Sequence, residues 1–372
     1  MKILIFSNSF WNLFNFRSSI IGQLKKTNKI ILVANKDSFY KKFVNIKNIT
    51  PKQFNFSSKS TSILSNIFLF FNFFFLLKKT NPDLLITFTI KPNIYGSIAS
   101  SFLNIKTVNN ITGLGTSFLK KNFFLLFIKF LLKISFKKSK IVFFHNSFEK
   151  KLFIKSFIIK KHQAKITNGS GINPKNFKIK IFSSKEITNH FIFSGRMISD
   201  KGIYELIEAI KIVKKKYRNI NFSLFGLLSK DNVGAIPIKT IQHWESKGYI
   251  NFYPNITKIN RLLCNFDCFV MPSYSEGMSK SLLEAAASGL PMLCSNIPGC
   301  KEVVKSESNG FLFKPKNITS LSNAIIKFIN LPIHKRILFG KKSRYIAEKN
   351  FNEKKITKNY LNYINENLKK NK

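Results

Sequence analysis

The chain has 372 residues, of which 44% are hydrophobic and 14% aromatic. That is enough apolar surface for two folded domains and excludes a disordered protein. The formal net charge of +45 favours either polyanionic partners or a lysine-rich composition without functional meaning. Arginine, whose planar guanidinium suits base recognition, occurs only six times, so we expect no nucleic-acid partner.

The N-terminus, the most apolar stretch and the cysteines set further expectations. The first residues, MKILIF, run straight into a strand pattern without a signal-peptide cleavage site. The apolar stretch from Ile63 to Leu77 is interrupted by polar residues and is shorter than the about 20 residues of a spanning helix. The four cysteines form no CxxC and have no histidine at metal-ligand spacing. We therefore expect buried free thiols, a reducing cytoplasmic compartment and no metal.

In the first half of the chain, short apolar runs alternate with longer amphipathic segments, which is typical of a parallel α/β sheet. The predicted strands are Lys2–Phe6, Ile30–Ala34, Asp83–Phe88, Lys106–Asn109 and Lys140–Phe144. The predicted helices between them are Thr61–Lys79, Pro92–Leu103 and Lys120–Lys138. This pattern predicts a Rossmann-like domain over residues 1–166.

The second half repeats the architecture without repeating the sequence. Its predicted strands are His190–Ser194, Asn221–Phe225, Ile250–Tyr253, Cys268–Met271 and Pro291–Cys294. Its predicted helices are Gly202–Lys216, Ile256–Cys264, Lys280–Ser288 and Ile318–Ile329, followed by a helical region over residues 333–372. A polar, Gly-containing linker is predicted at 167–188, a second Rossmann-like domain at 189–350 and a final helix at 351–372. Ligands bind such sheets at the carboxyl ends of their strands, so the loops there are the candidate site.

One such loop follows the strand Cys268–Met271 and leads into a helix. We expect Glu276 in the loop and Glu284 within the helix, flanking a helix N-terminus that suits a phosphate. Gly277 permits a close backbone approach, and the following amides, with Met278, Ser279 and Ser281, belong to the same turn. The plain alternative is an exposed helix cap at Ser279 beside two surface acids.

A second loop reads SGRMISDKG, residues 194–202, and also joins a strand to a helix. Arg196 and Lys201 place two cations where they can bind a diphosphate through charge-assisted hydrogen bonds. The alternative is a solvated turn with Asp200 as the helix N-cap.

Together these loops resemble the retaining GT-B glycosyltransferases of family four. The segments that carry the resemblance are SGRMISDKG, FVMPSYSEGMSKSLLEAAASGLPMLCS, PGCKEVV and NGFLF. The N-terminal half resembles a subgroup that builds bacterial surface glycans on lipid-linked acceptors, through Arg17 of NFR, Gly113 and Gly115 of ITGLG, and GIN at 171–173. The resemblance implies two Rossmann-like domains facing across a cleft, with the C-terminal helix crossing back to the first domain.

The resemblance also implies roles for the loop residues. Arg196, Lys201 and Gly195 would lie at the donor diphosphate, and Glu276 would bind the donor sugar. Glu284 would bind the ribose, while Gly277, Met278, Ser279 and Ser281 would surround phosphate and sugar. In the N-terminal half, Arg17, Gly113 and Gly115 would bind substrate. A UDP-sugar donor, a polyprenyl-diphosphate-linked acceptor, retention of configuration and independence of metals or other cofactors follow from the family alone.

Two departures from the family leave the acceptor side and the catalytic base open. The first loop reads Ser7-Asn8-Ser9-Phe10 where many relatives have a Gly-Gly pair, and Asn110 and Thr112 stand where many have a histidine. His145 is better explained as a loop residue whose hydrogen bonds are satisfied than as the base. Two other functions remain as alternatives: a sugar-nucleotide epimerase of the same fold, and a non-catalytic basic binding protein.

Two predicted helices are unusually apolar. In Asn122–Lys138 the lysines at 129, 133 and 137 form one narrow stripe, and in Thr61–Lys79 the polar line is equally thin. Such helices are either buried on several sides or lie in a lipid interface. For the first helix both interpretations stay open, and for the second we expect burial. A peripheral position on the inner face of the plasma membrane would agree with a lipid-linked acceptor.

Overall fold

The structure is a computed structural model that describes residues 1–57, 60, 62–113, 123–182, 189–228, 232, 234–255 and 259–369. Its contacts divide the chain into two compact units. Unit 1 comprises Met1–Ser170 together with Glu353–Lys372, and unit 2 comprises Gly171–Asn352. The chain thus passes from unit 1 to unit 2 and returns to unit 1 for its last helix.

Unit 1 is built on a seven-stranded sheet whose strand pairs are all parallel, in the order β3-β2-β1-β4-β5-β6-β7. The strands are β1 (Lys2–Ser9), β2 (Lys29–Asn35), β3 (Ile49–Gln53), β4 (Leu84–Phe88), β5 (Lys106–Ile111), β6 (Ile141–Phe144) and β7 (Ala164–Ile166). The helices are α1 (Phe10–Leu24), α2 (Ile63–Thr80), α3 (Ser97–Phe102), α4 (Phe123–Phe136) and α5 (Ser147–Lys155), with a π-helical turn at Pro92–Gly96 before α3.

Side chains alternate between the two faces of this sheet, and different helices cover each face. Ile3 and Ile5 of β1 share a buried cluster with α1, whereas Leu4 and Phe6 share one with α2. On β6, Val142 packs in the cluster of α4, so α2, α3 and α4 lie on the face opposite α1. The last helix, α12 (Glu353–Lys369), contributes buried side chains to the α1 face.

Unit 2 contains a six-stranded sheet with parallel pairing in the order β10-β9-β8-β11-β12-β13. The strands are β8 (His190–Arg196), β9 (Asn221–Leu227), β10 (Asn251–Pro254), β11 (Cys268–Met271), β12 (Met292–Ser295) and β13 (Gly310–Phe313). The helices are α6 (Ile203–Lys216), α7 (Ile238–Ser246), α8 (Lys280–Ala287), α9 (Pro298–Val303), α10 (Ile318–Ile329) and α11 (Ile333–Asn350). One contiguous core fills this unit.

The predicted α/β class with two parallel Rossmann-like sheets is confirmed, and each predicted strand lies within two or three residues of an observed one. One predicted helix, Ile256–Cys264, is wrong. Short 3-10 turns at Ile259–Arg261 and Leu263–Asn265 stand in its place, and residues 256–258 lie outside the described residues. Asparagine and threonine side chains compete for backbone hydrogen bonds and disfavour helix in such a segment.

The segment predicted as a linker begins at the boundary between the units. Residues 171–182 belong to unit 2, where the Ile172 amide donates to the Phe351 carbonyl at 2.8 Å. The Lys180 ammonium also pairs with Asp267 at 2.8 Å. Residues 183–188 lie outside the described residues.

The expected burial of the predicted helix Thr61–Lys79, observed as α2, is wrong. Only 22% of α2 is buried, and its outward side chains include Leu64 at 80% exposure and Phe68 at 68%. Leu69, Phe73 and Leu77 on the opposite side pack on the sheet, with the Phe73 ring stacked 4.0 Å from that of Phe6. At 18 residues, α2 is also the one helix of the described chain whose length and composition would allow it to cross a membrane, a test that core helices of soluble proteins pass as well.

The cysteines are free thiols, as expected, but their burial was only partly predicted. Cys268, Cys294 and Cys300 are buried, whereas Cys264 is half-buried. Burial raises the pKa of the Cys268 thiol well above its ordinary value. A thiol held in its neutral form is a poor nucleophile and a poor metal ligand, so this residue serves packing.

Candidate active site

The strand order of unit 2 determines where its candidate site lies. From β8 the chain moves outward through β9 to β10, then returns to β11 beside β8 and moves the other way through β12 to β13. The loops after β8 and β11 therefore leave neighbouring strands in opposite directions. This switch point is where open parallel sheets bind their ligands. Both loops that the sequence singled out lie there.

The loop after β8 carries the predicted cations. Arg196 is the last residue of β8, and its exposed side chain makes no hydrogen bond or ion pair with the part of the chain that the structure describes. Lys201 ends a 3-10 turn, Ser199–Lys201, and its side chain is only 16% exposed. Gly202, not Asp200, is the N-cap of α6, and no side chain caps that helix. The alternative of an Asp200-capped turn is therefore wrong.

The loop after β11 holds Glu276 outside the helix and Glu284 inside it, as predicted. Ser279 is the N-cap of α8, but its hydroxyl lies 3.0 Å from the Ser281 hydroxyl and does not cap the helix amides. Ser279 is also buried, at 6% exposure. The interpretation of Ser279 as an exposed helix cap is therefore wrong.

Two contacts join the two loops, and a third joins the second loop to α6; one of the three pairs two predicted site residues. The Lys201 ammonium forms an ion pair with the Glu276 carboxylate, although 75 residues separate them. The Tyr274 amide donates to the Asp200 carbonyl at 2.9 Å. The Tyr274 hydroxyl donates to Glu205 of α6 at 2.5 Å. Because the ion pair and the hydrogen bonds connect these segments, the Lys201 ammonium and the Glu276 carboxylate are held at fixed positions.

Glycines allow this close approach of backbones. Gly202 has φ of +69°, and a Cβ there would lie 2.9 Å from the Pro272 carbonyl carbon at the end of β11. Gly299, in the first turn of α9, touches the second loop: a Cβ there would lie 2.6 Å from the Gly277 carbonyl oxygen. Real Cβ atoms do not come so near to backbone atoms, so any side chain would push the loops apart.

Glu284 lies just over one helical turn into α8 and is half-buried. Burial raises the pKa of its carboxyl to about 7, against the opposing effect of Lys280. Near neutral pH this group is therefore divided between its charged and neutral forms. Such perturbed carboxyls cluster at functional sites.

The remaining predicted site residues have different surroundings. Gly195 lies in β8, with the Phe193 ring 3.0 Å from where its Cβ would be, and Met278 packs at the edge of the unit 2 core. In unit 1, Gly113 follows β5 with φ of +134°, and Gly115 lies outside the described residues. Arg17 is buried at 3% exposure with its guanidinium 4.2 Å from the centre of the Phe88 ring.

Arg17 belongs to a buried polar group at the carboxyl edge of the unit 1 sheet. His145 lies near it, and burial together with Arg17 lowers the pKa of this histidine to about 3. Its Nδ1 has no hydrogen-bond partner among the described residues, so the expectation that its hydrogen bonds are satisfied is wrong. The Asn110 amide donates to the Tyr360 hydroxyl of α12 at 3.1 Å. A histidine held neutral in this way cannot act as a cation toward a phosphate.

Sequence reasoning missed several residues of these sites. Tyr274 and Glu205 are 69 residues apart, so no local pattern pairs them. In unit 1 the switch point lies between β1 and β4, and Thr89 just after β4 has φ of +74°, an unusual conformation for a β-branched residue. Its buried hydroxyl has no partner among the described residues. Across the same described residues, no three His, Cys, Asp or Glu side chains group as metal ligands.

Comparison with known proteins gives matches over both units. The model of group 1 glycosyl transferases matches residues 174–350, and that of glycosyl transferase 4-like proteins matches residues 2–146. The chain is 26% identical, over 87% of its length and 88% of the relative, to an N,N'-diacetylbacillosaminyl-diphospho-undecaprenol alpha-1,3-N-acetylgalactosaminyltransferase of Campylobacter jejuni. It is 28% identical, over 72% of each chain, to a UDP-Gal:alpha-D-GlcNAc-diphosphoundecaprenol alpha-1,3-galactosyltransferase of Escherichia coli.

The fold has solved counterparts as well. The crystal structure of a glycosyltransferase from Rickettsia africae superposes with a TM-score of 0.77 at 19% identity, covering 99% of both chains. Two parallel Rossmann-like sheets are the GT-B architecture, which the sequence predicted. With both halves matched by glycosyltransferase models and the same fold found over nearly its whole length, the chain belongs to the group 1 glycosyltransferases of the GT4 type.

Proposed function

We propose that the protein transfers a hexose or an N-acetylhexosamine from a UDP-sugar to a polyprenyl-diphosphate-linked glycan, with retention of configuration, during assembly of a bacterial surface glycan. The observation that supports this most is the Lys201–Glu276 pair at the switch point of unit 2. A cation and a carboxylate held side by side suit the two parts of a sugar nucleotide, its diphosphate and its sugar hydroxyls.

Glycosyl transfer builds negative charge on the departing phosphate and positive charge on the anomeric carbon. Lys201, with Arg196 beside it in the chain, stabilises the departing UDP, because fixed cations lower such a barrier without reorganising. The first turn of α8 adds a helix N-terminus directly after the loop that carries Glu276. Glu276 accepts hydrogen bonds from the donor sugar, and Glu284 accepts them from the ribose. Gly277, Met278, Ser279 and Ser281 surround phosphate and sugar.

In this proposal the acceptor hydroxyl attacks from the same face that the UDP leaves. The departing phosphate oxygen takes the proton of that hydroxyl, so unit 2 needs no separate base. A retaining mechanism through a covalent glycosyl-enzyme would instead need a pair of carboxyl groups about 5 Å apart. The carboxylate next to the proposed leaving group, Glu276, is already paired with Lys201.

The names of two relatives support the proposed acceptor class. Both names specify an undecaprenol diphosphate that carries the receiving sugar, and both specify an alpha-1,3 linkage. The E. coli name also specifies the donor as UDP-Gal. These names support a UDP-sugar donor and a lipid-linked acceptor for this chain, and an alpha linkage made from an alpha-linked donor corresponds to retention.

The test is a screen of UDP-sugars against undecaprenyl-diphosphate-linked sugars, scored by UDP release and by the anomeric configuration of the product. We expect one donor and acceptor pair to give an alpha-linked product, with full activity in the presence of EDTA. Release of UDP without transfer of the sugar to any acceptor would contradict the proposal, and so would a β-linked product. Epimerised free sugar formed without acceptor would identify the epimerase alternative.

Glu284 gives this site a pH dependence. If its carboxylate form accepts the ribose hydroxyls, the affinity for a UDP-sugar rises about tenfold from pH 6 to pH 8, because ionisation with a pKa of about 7 is nearly complete over that interval. Calorimetric titration with UDP-glucose is suitable, since its diphosphate diester does not titrate there. Glu284→Gln should flatten the profile to within about twofold. If the Glu284→Gln variant kept the pH dependence of affinity seen in the wild type, the titrating group would be a residue other than Glu284.

We also propose a peripheral position at the membrane, through the outward sides of α2, α3 and α4. These helices share one face of the unit 1 sheet and expose a set of large apolar side chains: Ile63, Leu64, Ile67, Phe68, Phe71, Phe75, Phe102, Leu126, Phe127, Phe130 and Ile134. We call this the apolar face. An exposed apolar surface of this extent is typical of an interaction site, and the net charge of +45 favours an anionic lipid surface.

A further inference from the structure

A lysine-lined pocket lies in unit 1 at the edge of the sheet opposite to the carboxyl ends of its strands. It has a volume of about 550 Å³, and its lining includes residues that immediately precede or begin β5, β6 and β7. Five lysines and one histidine line it: Lys106, Lys137, Lys138, Lys140, Lys160 and His162. None of the described residues that line it is acidic. We call it the lysine pocket.

Most hydroxyl groups of the pocket and the Gln163 amide are already bonded within the fold, but most of its ammonium groups are not. Ser100 and Thr107 share a hydrogen bond at 2.7 Å, and the Ser139 hydroxyl donates to Asn109 at 2.6 Å. The Lys138 ammonium donates to the Ser101 carbonyl at 3.0 Å. Within the described chain, the ammonium groups of the other four lysines make no hydrogen bond or ion pair.

Ordinary helix chemistry explains only part of this cluster. The C-terminal ends of α3 and α4 point to the pocket, and a helix C-terminus attracts a nearby cation. That accounts for Lys138 and at most one neighbour. The lysines come from three separate segments, at the start of β5, between α4 and β6, and before β7. Like charges that converge on a concave surface repel one another and concentrate a positive potential, which an anion relieves.

The pocket borders the apolar face. Ser101 and Ser135 line the pocket, while the adjacent residues Phe102 and Ile134 are exposed at 70% and 45%. The Phe102 ring also contacts Phe70 of α2, with 6.2 Å between ring centres. A soluble phosphate would need no apolar border. A phospholipid has a phosphate headgroup and acyl chains that would meet the pocket and the apolar face respectively.

We propose that the lysine pocket binds the phosphate headgroup of an anionic phospholipid while the apolar face contacts its acyl chains. The lysine pocket is separate from the donor site in unit 2. This proposal specifies how the protein binds the membrane, and it rests on the peripheral membrane position proposed above. It also indicates a peripheral orientation for α2. That helix keeps Leu69, Phe73 and Leu77 packed on the sheet and so lies along the lipid surface without crossing it.

The test is sedimentation of the full chain with vesicles of phosphatidylglycerol and phosphatidylcholine at fixed ionic strength. The pocket variant carries Lys137→Gln, Lys140→Gln and Lys160→Gln, which leaves Lys138 and its bond to α3 in place. The control variant carries Lys41→Gln, Lys42→Gln and Lys47→Gln. These lysines are exposed, and the control variant loses the same net charge as the pocket variant. Their segment packs beside α1, on the other face of the sheet.

Each lysine near an anionic surface contributes about fivefold to binding. We expect the pocket variant to lose at least about tenfold in vesicle affinity and the control variant no more than about twofold. Soluble glycerophosphoglycerol should displace the wild-type protein from the vesicles. Equal losses in both variants, or the absence of binding by the wild type, would overturn the headgroup site. Displacement by inorganic phosphate at equal or lower concentration would do so too, because it would mark a free-phosphate site.

The outcome can be separated from that of the proposed reaction. Transfer to a short-chain, water-soluble analogue of the acceptor does not need the membrane. The pocket variant should therefore retain wild-type turnover with that analogue, and its temperature of thermal unfolding should not fall, because the removed lysines repel one another. If the wild type transfers sugar but ignores anionic vesicles, the headgroup site fails while the transferase function stands.

Discussion

Replacement of Lys201 by Ala should lower kcat by about 10²–10³-fold, the loss that follows when one preorganised group stabilising transition-state charge is removed. The Lys201 ammonium forms an ion pair with a predicted donor-site carboxylate, Glu276. The diphosphate is already negative in the bound donor, but its further charge develops only as the bond to the sugar breaks, and Lys201 stabilises that further charge in the transition state. The effect should therefore appear in kcat more than in KM.

The control is Lys211→Ala on α6. This lysine pairs with Glu208 at the surface, so its loss changes the net charge equally without touching the loops. Turnover should stay within about twofold of wild type, because exposed pairs of this kind contribute little. Circular dichroism of both variants checks the fold. A Lys201→Ala enzyme with near wild-type kcat would remove this residue from the leaving-group role.

Replacement of Gly202 by Ala should lower the free energy of unfolding of unit 2 by about 2–5 kcal/mol, from the sum of backbone strain and overpacking. Its φ of +69° is unfavourable for alanine, and the new Cβ would meet the Pro272 carbonyl. Because Gly202 connects the turn that carries Lys201 to α6, the same change should displace Lys201 from Glu276. Turnover should fall together with stability.

Gly248→Ala provides a matched control. Gly248 has φ of +67°, but no atom lies within 4 Å of where its Cβ would be. It therefore carries the backbone strain alone, about 1–2 kcal/mol. Urea unfolding of both variants measures the difference. If both variants lost the same free energy of unfolding, the loops after β8 and β11 would not be in close contact.

The fold was largely predictable because its signals are local. Apolar runs such as Cys268–Met271 and Ile141–Phe144 are too short and too continuous for anything but buried parallel strands. The exposure of α2 was not predictable, because its sequence is apolar all round and nothing in it marks which side meets the sheet. Only the tertiary packing of Leu69, Phe73 and Leu77 decides that.

The candidate site was predictable in its parts but not in its contacts. Each loop could be found from a strand, a glycine and a helix start, and each supplied one partner of the Lys201–Glu276 pair. That the two loops adjoin depends on β8 and β11 being neighbours, which strand order decides and no local pattern reveals. The Tyr274–Glu205 hydrogen bond was missed for the same reason. The lysine pocket was hidden because its residues come from segments with no common motif.

The return of the chain to unit 1 has a consequence for its synthesis on the ribosome. Tyr360 of α12 is buried, and its ring lies 4.3 Å from that of Phe143 in the unit 1 core. A nascent chain that has completed the first 170 residues still lacks this helix and leaves that apolar site uncovered until translation has passed unit 2. The N-terminal half is thus the last to be completed, and a fragment ending at Ser170 would aggregate unless the missing helix were supplied as a separate peptide.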